Sequence, residues 1–217
     1  MKTLNVKHLT VAGPLSAADV PALLDANHVE WQLISTVNWT DYPYRPHVAF
    51  RIAHCGDRIL LQYRVSEETV RAVAPHDGGN VWEDSCCEFF CQPDAGPLYY
   101  NMECNCAGTL LVAVGTGRDD RIQADPAIVA AVDRWSSLGR GIINEREAPA
   151  EWTMALVIPV VTFFRHHITD LTGLTVHANF YKCGDKLTTP HFLSWSPIPI
   201  PHPDFHRPEF FGEVRFE

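Results

Sequence analysis

Val48-Ala-Phe-Arg-Ile-Ala-His54 and Ile59-Leu-Leu-Gln-Tyr-Arg-Val65, separated by a Gly56-Asp57 turn signal, decide the fold class. In the first run Val48, Phe50 and Ile52 alternate with Ala49, Arg51 and Ala53; in the second, Leu61, Tyr63 and Val65 alternate with Gln62 and Arg64. Period-two alternation sends successive side chains to opposite faces of a strand, so the two runs read as a hairpin. The theme repeats in Ser85–Cys91 and Tyr99–Val114 around the turn Pro93-Asp-Ala-Gly-Pro97. It returns in Trp152-Thr-Met-Ala-Leu-Val-Ile-Pro159, which the proline stops, and in Thr175-Val-His-Ala-Asn-Phe-Tyr-Lys182. Helical signals are short. Ser16 as an N-cap, Asp19 in the first turn and Leu23/Leu24 predict a helix over 17–26, with two more over 125–132 and 160–167, none long enough to organise a bundle. The reading is all-β: a two-sheet antiparallel β-sandwich, immunoglobulin-like or jelly-roll-like, with short peripheral helices. It forms one domain over 1–217, with 1–43 as an N-terminal extension packed on it. The stretch 190–208 carries six of the 16 prolines, and with Phe192, Trp195, Phe205 and the nearby Phe210 it predicts an ordered, extended wrap over the sandwich.

A chain of 217 residues with 46% hydrophobic composition can bury a core of useful size. Its 17 Lys+Arg against 26 Asp+Glu give a net charge of −9. Phosphate-backbone affinity depends on clustered Lys and Arg, so a nucleic-acid partner is excluded. A membrane partner is excluded too, since no stretch approaches the ~20 apolar residues a bilayer crossing needs. The first 16 residues are interrupted by Lys2, Asn5, Lys7, His8 and Pro14 and do not read as a signal peptide, so a cytoplasmic location is expected, or an extracytoplasmic one if the N-terminus is incomplete. Seven cysteines are an odd number and read as reduced. Cys87-x3-Cys91 and Cys104-x-Cys106 have spacings that invite zinc. Both lie in alternating runs without the turn chemistry of a zinc knuckle, and buried thiols acting as small hydrophobes are the better account.

The polar positions of the strands carry unusual residues. Arg51, Gln62 and Arg64, then Glu88, then Asn101, Glu103 and Asn105, then His177, Asn179 and Tyr181 each oppose an apolar face. A merely solvated face favours Lys, Glu and Thr. Arg, Asn, Gln, Tyr and His beside carboxylates suit a polyhydroxylated ligand, because hydroxyls both donate and accept and planar forks fix their orientation. If these strands share one sheet, arginines meet glutamates on one surface. The six tryptophans extend the reading, since the apolar face of a pyranose ring stacks on an indole. Trp82, in Gly78-Gly-Asn-Val-Trp82, and Trp195, in the proline-rich stretch, are the candidates. Trp152 reads as core, and Trp31, Trp39 and Trp135 make weaker cases.

Four segments in order, Val81-Trp-Glu-Asp-Ser-Cys-Cys-Glu-Phe-Phe90, Tyr99-Tyr-Asn-Met-Glu-Cys-Asn-Cys-Ala-Gly-Thr-Leu-Leu111, Asn179-Phe-Tyr-Lys-Cys-Gly-Asp185 and Pro203-Asp-Phe-His-Arg-Pro-Glu-Phe-Phe-Gly212, resemble the family 9-like carbohydrate-binding modules within the DOMON-like group of β-sandwiches. The resemblance runs from about Tyr44 to the C-terminus. It implies a site that clamps a glucose-type or xylose-type unit between two tryptophans, with a glutamate and an amide or arginine bonding the hydroxyls. Trp82 and Glu88 match the first tryptophan and the glutamate, and Trp195 is the candidate for the second tryptophan. Phe192 stands where some members have an asparagine. Arg118, Glu103, Asn105 and Asn179 complete the candidate hydroxyl-binding set. The resemblance also implies structural calcium, for which Asp119/Asp120 is a candidate pair; the haem of some relatives finds no axial pair, since Met102 falls on the inferred core face. The partner expected is a mono- or oligosaccharide derived from glucan or xylan, and the sequence sets no oligomeric state. The alternative is a xylanase-like glycoside hydrolase using Glu88 and Glu103. Arginines expected beside these glutamates would lower both pKa values and leave no protonated acid, which favours binding over catalysis.

Overall fold

The computed structural model describes residues 2–11, 13–149 and 151–217. Among them the strands run β1 (Thr3–His8), β2 (Gln32–Leu33), β3 (Thr36–Val37), β4 (His47–His54), β5 (Arg58–Ser66), β6 (Thr69–Ala72), β7 (Cys86–Gln92) and β8 (Tyr99–Asn105). They continue as β9 (Leu110–Gly115), β10 (Ile122–Gln123), β11 (Asp133–Ser136), β12 (Ile143–Glu147), β13 (Trp152–Pro159), β14 (Thr175–Cys183), β15 (Phe192–Ser194) and β16 (Gly212–Phe216). The predicted hairpin is β4–β5, paired from His47↔Ser66 to His54↔Ile59. Gly56 closes it at φ +79°, a left-handed conformation that suits glycine.

Two sheets face each other. One has the order β10-β9-β8-β7-β14-β16 and the other β4-β5-β13-β11, each antiparallel throughout. β1 joins them: Thr3–Val6 run parallel to β16, and Lys7–His8 run parallel to β4. This is the one departure from the all-antiparallel expectation among these strands. β12 and β6 form a separate two-stranded sheet. The inner faces hold the residues that alternation selected. Phe50 stacks on Phe180 at 3.7 Å between ring centroids, and Phe180 on Phe89 at 5.0 Å. Tyr63, fully buried, donates its hydroxyl to the carbonyl of Glu88 across the sandwich, 2.9 Å.

Both sheets are also covered on their outer faces. The 3-10 turn Ala17–Asp19 and helix α1 (Val20–Ala26) realise the helix expected over 17–26, and they bury Val20 and Leu24 on Ala53, Leu60, Ala155 and Val157 of the β4-β5-β13 sheet. Helix α2 (Pro126–Ala131) realises the second. Over 160–167 only the 3-10 turn Val160–Thr162 forms, because Phe163 leaves helical geometry to bury its ring against Tyr100. On the other sheet, the proline-rich stretch lies over Phe90, Tyr99 and Tyr181 with Trp39, Ile198 and Phe211 as a third apolar cluster. The wrap expected over 190–208 is therefore present. All seven cysteines are free thiols, and six of them are buried.

Trp195 is a correction. It is 2% exposed, packed edge-on against Phe50 and Phe180 in the core, and it leaves no space for a Cβ at Gly212. The alternation of β15 explains this. Leu193 and Trp195 point inward, while Phe192 points the other way, toward the cleft described below.

Candidate functional site

The outer face of β14, β7, β8 and β9 is set by register. Tyr181, Glu88, Glu103 and Leu111 form one row across the four strands; Asn179, Phe90, Asn101 and Ala113 form the next. Cys183, Cys86 and Asn105 begin a third. A cleft of about 540 Å³ opens on this face. Its floor contains Glu88, Glu103, Asn101 and Cys183, and its rim carries Arg118, Arg121, Asp185 and His206. Aromatic rings complete it. Tyr42 meets Phe192 edge-on at 4.8 Å, and Phe205, beside Phe192 at 6.2 Å, stacks on Tyr181 at 4.1 Å, making one aromatic wall. Trp82, on the 3-10 turn Val81–Glu83, is half-buried and also lines the cleft.

Glu88 and Glu103 are directly opposed across β7 and β8, and both are almost fully buried. Burial, reinforced by the charge of Glu103, pushes Glu88 well above the usual carboxylate range. Burial likewise pushes Glu103 up to about 7, against the opposing pull of Asn101 and Arg121. Asp185 is raised to about 6 by burial, opposed by Arg118. Glu88 and Glu103 therefore carry protons near neutrality and can both donate to and accept from hydroxyls, whereas Asp185 is mainly an acceptor there. Asn101 relays between charges: Arg121 donates to its Oδ1, and its Nδ2 donates to Glu103 Oε1 at 2.8 Å. The guanidinium of Arg121 also bonds the Tyr99 carbonyl at 2.9 Å and stacks over the Tyr99 ring at 4.4 Å. Glu103 Oε2 and Arg121 Nε are buried without a hydrogen-bond partner within the protein, which leaves two polar atoms for a ligand or water to satisfy. His206 pairs Nδ1 with the Tyr99 hydroxyl at 2.9 Å, and burial beside two arginines lowers it to about 3, so the ring is neutral.

Of the seven residues predicted from sequence, the cleft brings together Trp82, Glu88, Glu103 and Arg118. Asn105, Asn179 and Trp195 lie elsewhere. Asn105 accepts from the Ala107 and Thr109 amides and donates to Asp84, so its carboxamide holds the β8–β9 turn. Asn179 donates to the Ser196 carbonyl at 3.0 Å and accepts from the Ser196 amide at 2.8 Å, fastening the proline-rich stretch to the sheet. Arg51 and Arg64 are also displaced from the anticipated surface. They sit on the outer face of the other sheet, flanking Trp31 at 4.5 and 4.2 Å, and Arg51 bonds Gln62 and Asp25. The expectation that arginines depress both glutamates is thus reversed, because burial dominates. The contributors that sequence reasoning passed over are Arg121, Asp185 and His206; Asn101 stood among the polar strand positions without entering the candidate set, and Phe192 and Phe205 were read as part of the wrap. Asp185 and His206 end or occupy the motifs quoted above, and Arg121 is three residues past Arg118.

The acidic pair expected to hold calcium is not a ready cage. Asp120 accepts from the Thr116 amide, the Thr116 hydroxyl and the Gly117 amide, bonds that hold it at about 2 and close the loop bearing Arg118. The set of three metal-capable side chains found among the described residues is Cys86, Glu88 and Cys183, a sulfur-rich donor set that does not fit calcium. No helix among the described residues is long and apolar enough to cross a membrane.

A concave, partly aromatic cleft on one sheet of a sandwich, with buried carboxyls and arginines converging on it, has the make-up of a small-ligand site. The chain belongs to carbohydrate-binding family 9, which it matches over residues 18–216. A candidate carbohydrate-binding protein from Bacteroides uniformis ATCC 8492 is 51% identical, with a TM-score of 0.97 over 100% of this chain and 99% of that one. A family 9 module from Caldicellulosiruptor kristjanssonii in complex with glucose has the same fold at 11% identity (TM-score 0.65; 100% and 96% covered). So does one from that organism in complex with cellotriose (TM-score 0.63, 11% identity; 100% and 94% covered). None of the curated proteins matches the sequence.

Proposed function

We propose that the protein is a non-catalytic receptor for a glucose-type or xylose-type unit of a glucan- or xylan-derived saccharide, held in the cleft over Glu88 and Glu103. The observation that carries this reading is the buried, cross-strand carboxyl pair with an unsatisfied oxygen, set beside Trp82. Trp82 offers an indole for the apolar face of the ring, and the Phe192/Phe205 wall takes the second stacking role that Trp195, in the core, cannot. Arg118 and Arg121 supply donors to the hydroxyls, and Asp185 supplies an acceptor or donor according to pH. Isothermal titration of the folded protein with xylose, glucose, cellobiose and xylo-oligosaccharides tests it. Saturable heat with at least one is expected, and no heat with any refutes the reading.

Hydrolysis keeps one argument: burial leaves a protonated acid in the carboxyl pair, as glycosidic bond cleavage needs. Geometry opposes it. Glu88 and Glu103 are neighbours on one floor and present a single surface to a ring, whereas acid and nucleophile must flank the scissile bond. Release of aryl aglycone by the wild type, lost in Glu88→Gln and Glu103→Gln, would reverse this preference.

A further inference from the structure

Cys86, Glu88 and Cys183 bring two sulfurs and a carboxylate oxygen to within 4.8 Å of one another. The grouping follows from strand register. Cys86 and Glu88 are two residues apart on one face of β7, and Cys183 lies directly across from Cys86 on β14. Cys183 Sγ donates to Glu88 Oε1 at 3.0 Å. Zinc bonds of about 2.3 Å to sulfur and about 2.0–2.2 Å to oxygen, arranged tetrahedrally, separate ligand atoms by roughly 3.5–3.8 Å, so seating an ion requires only small side-chain adjustments. All three residues are buried on paired strands, which limits the ordering cost of ligation. Glu88 and Cys183 line the cleft, giving an ion a route in. Two thiols and one carboxylate form a soft-to-borderline set, unsuited to calcium or magnesium. The cysteines joined by short sequence spacing are not rivals, since Cys87, Cys91, Cys104 and Cys106 pack in the core between the sheets.

We propose that Cys86, Glu88 and Cys183 form a three-ligand site for a thiophilic divalent ion of the zinc class, with water in the fourth position. Each thiol, and the Glu88 carboxyl where it is protonated, gives its proton to solvent as it binds, so the ion meets two thiolates and a carboxylate. The inference does not rest on sugar binding, although the two ligands meet at Glu88. Reduced, metal-stripped protein is titrated with Cd²⁺, followed by thiolate-to-cadmium ultraviolet absorption, and with Zn²⁺, followed by thermal unfolding. One Cd²⁺ per chain and a Zn²⁺-dependent rise in Tm are expected. Both signals should be lost in Cys86→Ser and Cys183→Ser, weakened in Glu88→Gln and kept in Cys55→Ser, with folding checked by circular dichroism. Absence of the absorption in folded wild type, or its survival in either folded serine variant, overturns the site. Should a serine variant not fold, alkylation mapping of the wild type decides: bound Zn²⁺ should slow modification of Cys183 relative to Cys55, and unchanged relative rates overturn it.

Discussion

The outer faces of the two sheets read alike in sequence, each a row of polar residues alternating with core residues, yet they are built to different ends. On the β4-β5-β13 sheet, the polar groups are satisfied within the protein: Arg51 bonds Gln62, Asp25 and the Pro21 carbonyl, Gln62 bonds Thr153, and the Arg51 and Arg64 guanidiniums flank Trp31. On the β14-β7-β8-β9 sheet, two carboxyls are buried side by side, with one oxygen of Glu103 and the Arg121 Nε lacking partners. A face that satisfies itself is architecture. A face that leaves costly buried groups open beneath a cleft is where a ligand recovers the deficit.

Four expected outcomes sharpen or break this contrast. The largest concerns what lies beneath the cleft face. Trp195→Ala removes a buried indole and should cost about 3–5 kcal/mol of stability, a Tm drop of roughly 10 °C by thermal denaturation. A negligible drop would mean that Trp195 is not the core residue described.

Next is the carboxyl pair. Glu103 has a folded pKa raised to about 7 by burial, above its unfolded value near 4.5, so its ionisation opposes the fold increasingly as pH rises from 4.5 through 7. His206, lowered to about 3, acts in the other direction, favouring the fold as pH rises toward its unfolded value of 6.5. The informative quantity is therefore the Tm of Glu103→Gln minus that of wild type, in which the histidine contribution cancels. It should grow between pH 5 and pH 8, to an effect of order a few kcal/mol. A flat difference would show that burial does not govern the pair.

Trp82→Ala should then lower saccharide affinity by about 2 kcal/mol, roughly 30-fold by titration calorimetry, while leaving Tm within a few degrees. The smallest effect belongs to the other sheet. Asp25→Asn breaks the ion pair with Arg51, but the Asp25 side chain is 72% exposed, so the loss of stability should be the smallest of the four and shrink with salt. Saccharide affinity should not change, and a change would erase the distinction between the faces.

Much of this molecule was legible in one dimension. The β4–β5 hairpin, the strands carrying Glu88 and Glu103, the first two helices and the inward-facing Phe50, Tyr63, Phe89 and Phe180 all follow from local periodicity and turn chemistry. Trp195 was within reach as well: extending the alternation from Leu193 places it in the core and Phe192 in the cleft. The failures share one origin. Alternation assigns a residue to a face of its own strand, but it does not say which sheet the strand joins or what covers that face. Arg51 and Arg64 were therefore expected beside the glutamates, whereas they lie on the opposite outer surface. Asn179 and Asn105 were expected at a ligand, whereas they bond backbone supplied by Ser196 and by the β8–β9 turn.

By itself the sequence determined the class of fold, the family and the strands that carry Glu88 and Glu103, because strand periodicity and motif order are properties of neighbouring residues. Only the tertiary structure decided that Glu88 and Glu103 stand directly opposite in register, that burial rather than arginine sets their protonation, and that Cys183 joins Cys86. Those outcomes depend on strand register and on desolvation by segments far apart in the chain, including the proline-rich stretch that closes over the sheet.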